Sequence, residues 1–155
     1  VTGAISVELG IQVTVKDGHL DLSEFYDAAR RQYNATMLLK RIVTDFSDPG
    51  MKTVGLFSVD LFIPILTFIF GQAYLNGDAA VVSAYRLSNE RYGLPPDETL
   101  FRERLVKEVM HELGHMLGLV HCTNPECVMR SSTYVEEIDQ KLISFCPSCR
   151  SKAGY

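Results

Sequence analysis

The sequence predicts one α/β (α+β) domain with a mixed sheet. Three observations point to it. Short β-rich runs alternate with long stretches of three-and-four apolar spacing through residue 118. Clear periodicity then stops at Gly118. Every cysteine (122, 127, 146 and 149) falls in the last third of the chain.

Taken in order, "ISVELGIQVTV" (residues 5–15) ends in the alternation Ile11-Val13-Val15 and is expected to be a strand. Lys16-Asp17-Gly18-His19 reads as a turn. From Asp21 to about Thr44, Phe25, Ala28, Ala29, Tyr33, Met37, Leu38 and Ile42 recur at helical intervals. Ser47-Asp48-Pro49-Gly50 stops that helix. Strands follow at Thr53–Val59, roughly Thr67–Leu75, and Ala79–Arg86, the last two joined by Asn76-Gly77-Asp78, a strong hairpin signal. After the polar loop 88–97, a second long helix starts near Asp97 or Thr99. It places Phe101, Leu105, Val109, Leu113 and Leu117 four apart and ends at Gly118. Residues 1–118 thus form the sheet and helices, and 119–155 a segment without periodicity, within one domain 1–155.

Composition bounds the function. With 155 residues, 46% hydrophobic and 22% charged, the chain can bury an ordinary core. A net charge of -4 gives no electrostatic reason to expect nucleic acid. Val1–Ala4 has neither the basic nor the long apolar region of a secretory signal. The most apolar run, Leu61–Phe70, is interrupted by Pro64 and is half the length a bilayer needs (about 20 residues), so it is expected to be buried core and not a membrane span.

"HELGHMLGLVHCTNPECVM", residues 111–129, contains three of the four histidines. His111 and His115 leave one face of the helix a turn apart, close enough to share an ion. Glu112 points about 100° round the helix, poorly placed as a third ligand and well placed beside a metal-bound water. Gly118 permits a sharp turn, and His121 follows where the reversed chain can return a third imidazole. The string H-E-x-x-H-x-x-G-x-x-H fixes five positions in eleven. Three neutral ligands leave a catalytic zinc open at one position, where a water is acidified towards neutrality and Glu112 can act as general base.

Cys122-x4-Cys127 and Cys146-x2-Cys149 are two close pairs. Two disulfides are one reading. Knuckle spacing on loops favours the other, a structural Cys₄ zinc site, which implies a reducing, cytoplasmic compartment.

Together these residues resemble the archaemetzincins, a branch of the metzincin zinc metallopeptidases. His111, Glu112, His115, Gly118, His121, Cys122, Cys127, Met129, Cys146 and Cys149 match the family pattern without departure, and "FIFGQAYL" and "AAVVSAYRL" look like its sheet. The resemblance implies a twisted mixed sheet, a long active-site helix, a zinc-tied C-terminal segment and a Met-turn at Met129 beneath the zinc. It also implies an antiparallel edge strand above the cleft at Phe68–Leu75. An extended substrate would pair along Phe70, Gly71 and Gln72.

The expected function is a zinc-dependent metallopeptidase with two zinc ions per chain, one catalytic and one structural. It is expected to act as a monomer on extended peptide or protein substrates, with neither nucleic acid nor membrane as partner. Two other readings remain open on the sequence: a zinc-stabilised peptide-binding module without catalysis, and an amide hydrolase acting on a non-peptide substrate.

Overall fold

Helix α3 (Glu98–Met116) forms where the four-residue apolar spacing places it. Its N-cap is Asp97, whose side chain accepts a hydrogen bond from the Leu100 N–H at 2.9 Å. The computed structural model describes all residues, Val1–Tyr155. At the other end of α3, Gly118 adopts φ 87°, the left-handed region where glycine is favoured. The Leu119 N–H then bonds Gly114 O at 2.9 Å and the Gly118 N–H bonds His115 O at 2.9 Å. These two bonds form a Schellman motif, which satisfies the last carbonyls of the helix and reverses the chain.

Helix α2 (Ala35–Phe46) is shorter than the sequence pattern suggested. Asn34 caps it, accepting from the Met37 N–H at 3.1 Å, so the helix cannot begin at Asp21. Residues Ser23–Phe25 form a 3-10 turn instead, followed by the small antiparallel pair β1 (Tyr26–Asp27) and β2 (Gln32–Asn34). Phe25 and Tyr33 pack into the α2 core, so their burial is tertiary and only mimics helical spacing. The stop after residue 46 falls where Ser47–Gly50 placed it.

The N-terminal expectation is corrected. Residues 5–15 are not a strand: Thr2–Leu9 is helix α1, ended by Gly10 at φ 65°, and an irregular segment follows. Ile5 and Leu9, four apart, bury into the main core. Val15, by contrast, is 76% exposed. Alternation becomes a strand only where a neighbouring strand supplies the ladder, and none lies beside residues 11–15.

The remaining strands are β3 (Thr53–Phe57), β4 (Leu61–Phe62), β5 (Gly71–Ala73) and β6 (Ala79–Ser83). They lie where expected but are shorter, and β4 was not foreseen. One three-stranded sheet has the order β3-β6-β5, with β3 parallel and β5 antiparallel to β6. The other has the order β1-β2-β4. An antiparallel bridge, Leu61 to Ile69, links them. The fold is therefore the expected mixed α/β domain with an antiparallel edge strand, its strands divided between two small sheets. All five residues of β6 are buried, as a central strand covered on both faces requires.

Leu61–Phe70 is only partly core. Leu61, Phe62 and Phe70 are buried, whereas Ile65 is 85% exposed. Pro64 turns the chain outward, and the Arg30 guanidinium holds the turn by donating to the carbonyls of Pro64 and Leu66, each at 3.0 Å. No helix is long and apolar enough to cross a membrane.

Below α3, the chain loops through residues 119–134 to α4 (Val135–Asp139) and α5 (Pro147–Ala153). The main core packs β6 and α1 against α3 together with Val128, Met129, Cys127, Phe145 and Cys149. The aperiodic tail is thereby part of the same core as the sheet.

Candidate metal centres and active site

The imidazoles of His111, His115 and His121 come together. Their ring centroids lie 4.7, 5.3 and 5.0 Å apart. The Nε2 atoms of His111 and His115 are 3.1 Å apart. Two donors on one tetrahedral zinc with Zn–N near 2.05 Å would sit about 3.3 Å apart. Each helical imidazole is oriented from behind. His111 Nδ1 is 2.8 Å from the Val128 carbonyl, and His115 Nδ1 is 2.8 Å from that of Leu119. A carbonyl can only accept, so both Nδ1 atoms carry the proton and both Nε2 atoms keep a lone pair. The Gly118 turn thus delivers the Leu119 carbonyl to His115 as well as His121 to the cluster.

Burial keeps these rings neutral. It lowers His111 to about 3, with the positive charge of Lys141 adding to the effect. Burial likewise lowers His115 and His121, the latter on the exposed side of the cluster. A cation-binding site needs unprotonated imidazoles, and here the surroundings supply them.

Glu112 lies on the same helix, fully buried, and its Oε2 has no hydrogen-bond partner. Burial raises its carboxyl well above 4.5, and the neighbouring Glu108 raises it further. A buried carboxyl without a partner is costly unless an ion or ligand completes it. Its other neighbour is Gly71 of β5. A Cβ at Gly71 would stand 2.6 Å from Glu112 Oε1 and 2.9 Å from the Val81 carbonyl oxygen. Only glycine lets the edge strand and the glutamate approach this closely.

Gly114 plays the corresponding part on the far side of the helix. A Cβ there would lie 2.2 Å from Met129 Sδ, so the methionine sits directly against the helix between the two ligand turns. Met129 is fully buried. Tyr134, after it, is 63% exposed at the start of α4.

The edge-strand expectation is refined by register. Phe70 O accepts from Ser83 N at 2.8 Å, and Tyr74 N donates to Ala79 O at 3.1 Å. In an antiparallel ladder such residues alternate, so Phe70, Gln72 and Tyr74 direct their main-chain groups to β6. Gly71 and Ala73 direct theirs to the open edge. Of the three expected residues, Gly71 is the one whose main-chain groups face the open edge. Phe70 is buried, and the Gln72 side chain accepts from Thr36 Oγ1 at 3.1 Å.

The four cysteines form a second cluster. Their Sγ atoms lie within 4.8 Å of one another, and none is in a disulfide. Cys122 and Cys146 Sγ are 3.9 Å apart. A disulfide needs about 2.05 Å, and two thiolates on one tetrahedral zinc with Zn–S near 2.3 Å are about 3.8 Å apart. Main-chain N–H groups of Asn124 and Cys146 point at Cys122 Sγ (3.5 Å) and Cys127 Sγ (3.3 Å). A hydrogen bond from the Cys149 backbone, the largest influence, brings the Cys146 thiol down to about 7, while burial raises Cys127 and Cys149.

Sequence reasoning missed the two orienting carbonyls, the glycine contacts at 71 and 114, and the buried Glu108 and Lys141. Of these only Gly71 left a trace in the sequence, since it breaks the apolar run FIFGQAYL.

An α/β domain whose helix and the turn after it bring together three neutral imidazoles, with an unpartnered carboxyl beside an open strand edge, is a zinc-dependent metallopeptidase in class, and the known proteins it resembles bear this out. The family model described as Peptidase family M54 matches residues 4–153. The archaemetzincin of Pyrococcus horikoshii is 44% identical over 156 residues, covering 97% of this chain and 81% of that protein. The structure of archaemetzincin from Archaeoglobus fulgidus complexed with malonate aligns with a TM-score of 0.82 at 40% identity, over 97% of this chain and 87% of that one. A zinc-dependent peptidase from Methanocorpusculum labreanum aligns with a TM-score of 0.84 at 33% identity, over 98% and 90%. The chain belongs to peptidase family M54, the archaemetzincins.

Proposed function

We propose that the protein hydrolyses peptide bonds of extended substrates, with Glu112 as general base, His111, His115 and His121 holding a catalytic zinc, and Cys122, Cys127, Cys146 and Cys149 holding a structural one. The observation that carries this reading is the position of Glu112: on the helix of the imidazole cluster and in contact range of β5 at Gly71. Bound at the three imidazoles, zinc supplies a Lewis acid for the scissile carbonyl and an acidified water. The chain supplies the rest. The outward N–H and C=O groups of Gly71 and Ala73 pair with the substrate main chain and hold it extended. Glu112 takes the proton of the attacking water and returns it to the leaving amine. Backbone pairing reads little side-chain identity, so sequence preference is modest.

The cysteine site ties residues 119–129 to α5, and thereby fixes the loop that carries His121. Four thiols serving as ligands need a reducing compartment. The protein as isolated should hold about two zinc ions per chain. The decisive experiment is incubation with a diverse peptide library, read by mass spectrometry, for the wild type and for Glu112→Ala. Cleavage by the wild type that disappears in Glu112→Ala, with zinc content unchanged, is the expected result. Equal cleavage by both would exclude Glu112 as base.

A further inference from the structure

Lys141 has a side chain that is 0% exposed, and the catalytic reading above gives it no role. A lysine ammonium has three N–H donors. Two of them have carbonyl acceptors here, Arg130 O at 2.9 Å and Val128 O at 3.3 Å, and the ammonium forms an ion pair with Glu108 Oε1 at 3.6 Å. The two carbonyls flank Met129, whose sulfur packs against Gly114. One of them, Val128 O, is also the acceptor for His111 Nδ1 at 2.8 Å. A carbonyl oxygen has two lone pairs, so it can accept from both donors.

The lysine is itself held. It follows α4, and its own N–H donates to Ile138 O at 3.2 Å. Asp139 of α4 accepts two hydrogen bonds from the Arg104 guanidinium, each at 2.7 Å. Arg104 and Glu108 both stand on α3, about two turns and one turn before the histidine pair. A closed circuit results: α3 to Asp139, to Lys141, to the carbonyls on either side of Met129, and back to α3 through His111. Burying an ammonium and a carboxylate costs more than burying a methionine and a leucine of similar size. The ammonium brings two carbonyls and a carboxylate to one point, which neither apolar side chain could do.

We propose that Lys141 is a positioning residue of the histidine site: by clamping the carbonyls of Val128 and Arg130 it fixes the turn at Met129 and the orientation of His111. The inference rests on His111 being a zinc ligand. The clamp acts on the partner of that ligand and touches neither metal nor substrate.

The test compares Zn²⁺ held at the histidine site in four proteins, by competition of the holoenzyme with a chromogenic chelator: wild type, Glu108→Gln, Glu108→Gln/Lys141→Met, and His111→Ala. The double variant removes both charges together, so no unpaired charge is left buried. Orienting partners of metal ligands are worth about 10–100-fold in metal affinity. The double variant should therefore bind zinc 10–100-fold more weakly, with the thiolate zinc retained and the signal of the His111 Nδ1 proton shifted or broadened in NMR. Glu108→Gln keeps the carbonyl contacts and should hold zinc near wild-type affinity, with a lower thermal midpoint because the ammonium loses its counter-ion. Wild-type affinity in the double variant, or an equal loss in Glu108→Gln, would overturn the clamp. Unchanged zinc binding in His111→Ala would instead overturn the assignment of the site, and the clamp with it. Should the double variant not fold, the wild type answers: the Nζ signal of Lys141 in ¹⁵N-lysine-labelled protein should exchange slowly with water and move when the histidine site is emptied. An unmoved signal would sink the proposal.

Discussion

The histidine and cysteine clusters are neighbours in the chain, His121 preceding Cys122, yet they are built on opposite principles. Two of the three imidazoles come from one rigid helix, with their rings pinned by carbonyls, before any ion arrives. The four thiols come from the loop at Cys122 and Cys127 and from the start of α5, where Cys146 is the N-cap and Cys149 lies in the first turn, and what converges there is mostly sulfur and a few N–H groups. The first cluster is open, with His121 exposed and Glu112 unpartnered beside it. The second has Cys127 and Cys149 buried. A preorganised helix face suits a metal that exchanges ligands during a reaction. A closed set of thiolates suits a metal that ties the aperiodic tail to itself and holds it against the core.

That contrast can be broken first at the cysteines. A structural zinc site contributes on the order of 10 kcal/mol to folding. Cys127→Ser should therefore unravel residues 119–155, with loss of amide-exchange protection there, and should also empty the histidine site through His121. Protection left intact would mean that the tail holds itself. At the histidine cluster the reverse is expected: Glu112→Ala should lower turnover by about 10²–10⁴-fold, while both zinc ions and the thermal transition stay in place. Kinetics and elemental analysis on one preparation decide it.

Gly71→Ala sharpens the comparison at a single carbon. The new Cβ has no room between Glu112 and the Val81 carbonyl, so the carboxylate must shift. A displacement of about 1 Å can cost 10²-fold in rate, so kcat should fall by up to that much with the Cys₄ zinc untouched. A wild-type kcat would show that the edge strand gives way instead.

The pH response of the zinc-free protein follows from the sign of the Glu112 shift. Its folded-state pKa is raised above 4.5 by burial. Below the unfolded value both states hold the proton and the group costs nothing; as pH rises from the unfolded value towards the folded one, the unfolded state ionises while the native state resists, and stability is lost. Glu112→Gln should thus match the wild type in acid and exceed it increasingly above pH 4.5, in melting curves of the metal-free proteins. A gap that shrinks with pH would contradict the burial argument. The smallest effect is expected at Gly118, whose φ of 87° disfavours a side chain. Gly118→Ala should cost about 1–2 kcal/mol, read as a lower denaturation midpoint.

The sequence alone determined the chemistry and the elements with strong local codes. Helix α3, its Asp97 cap and its Gly118 stop, the Asn-Gly hairpin of β5 and β6, and the membership of the histidine and cysteine clusters follow from spacing, because each cap, turn and ligand-type pair is set by residues close together in the chain. The tertiary structure decided the rest. Residues 11–15 alternate like a strand but have no neighbour to pair with, and residues 21–34 mimic a helix because their burial comes from α2 packing across them. Ile65 leaves the apolar run because Arg30, distant in sequence, holds the turn outward. The contacts that tune the site (Gly71 on Glu112, Val128 O on His111, Lys141 on both carbonyls) join segments far apart in the chain. Local periodicity reports only which face a residue shows, and which atoms meet that face is settled when the distant segments pack.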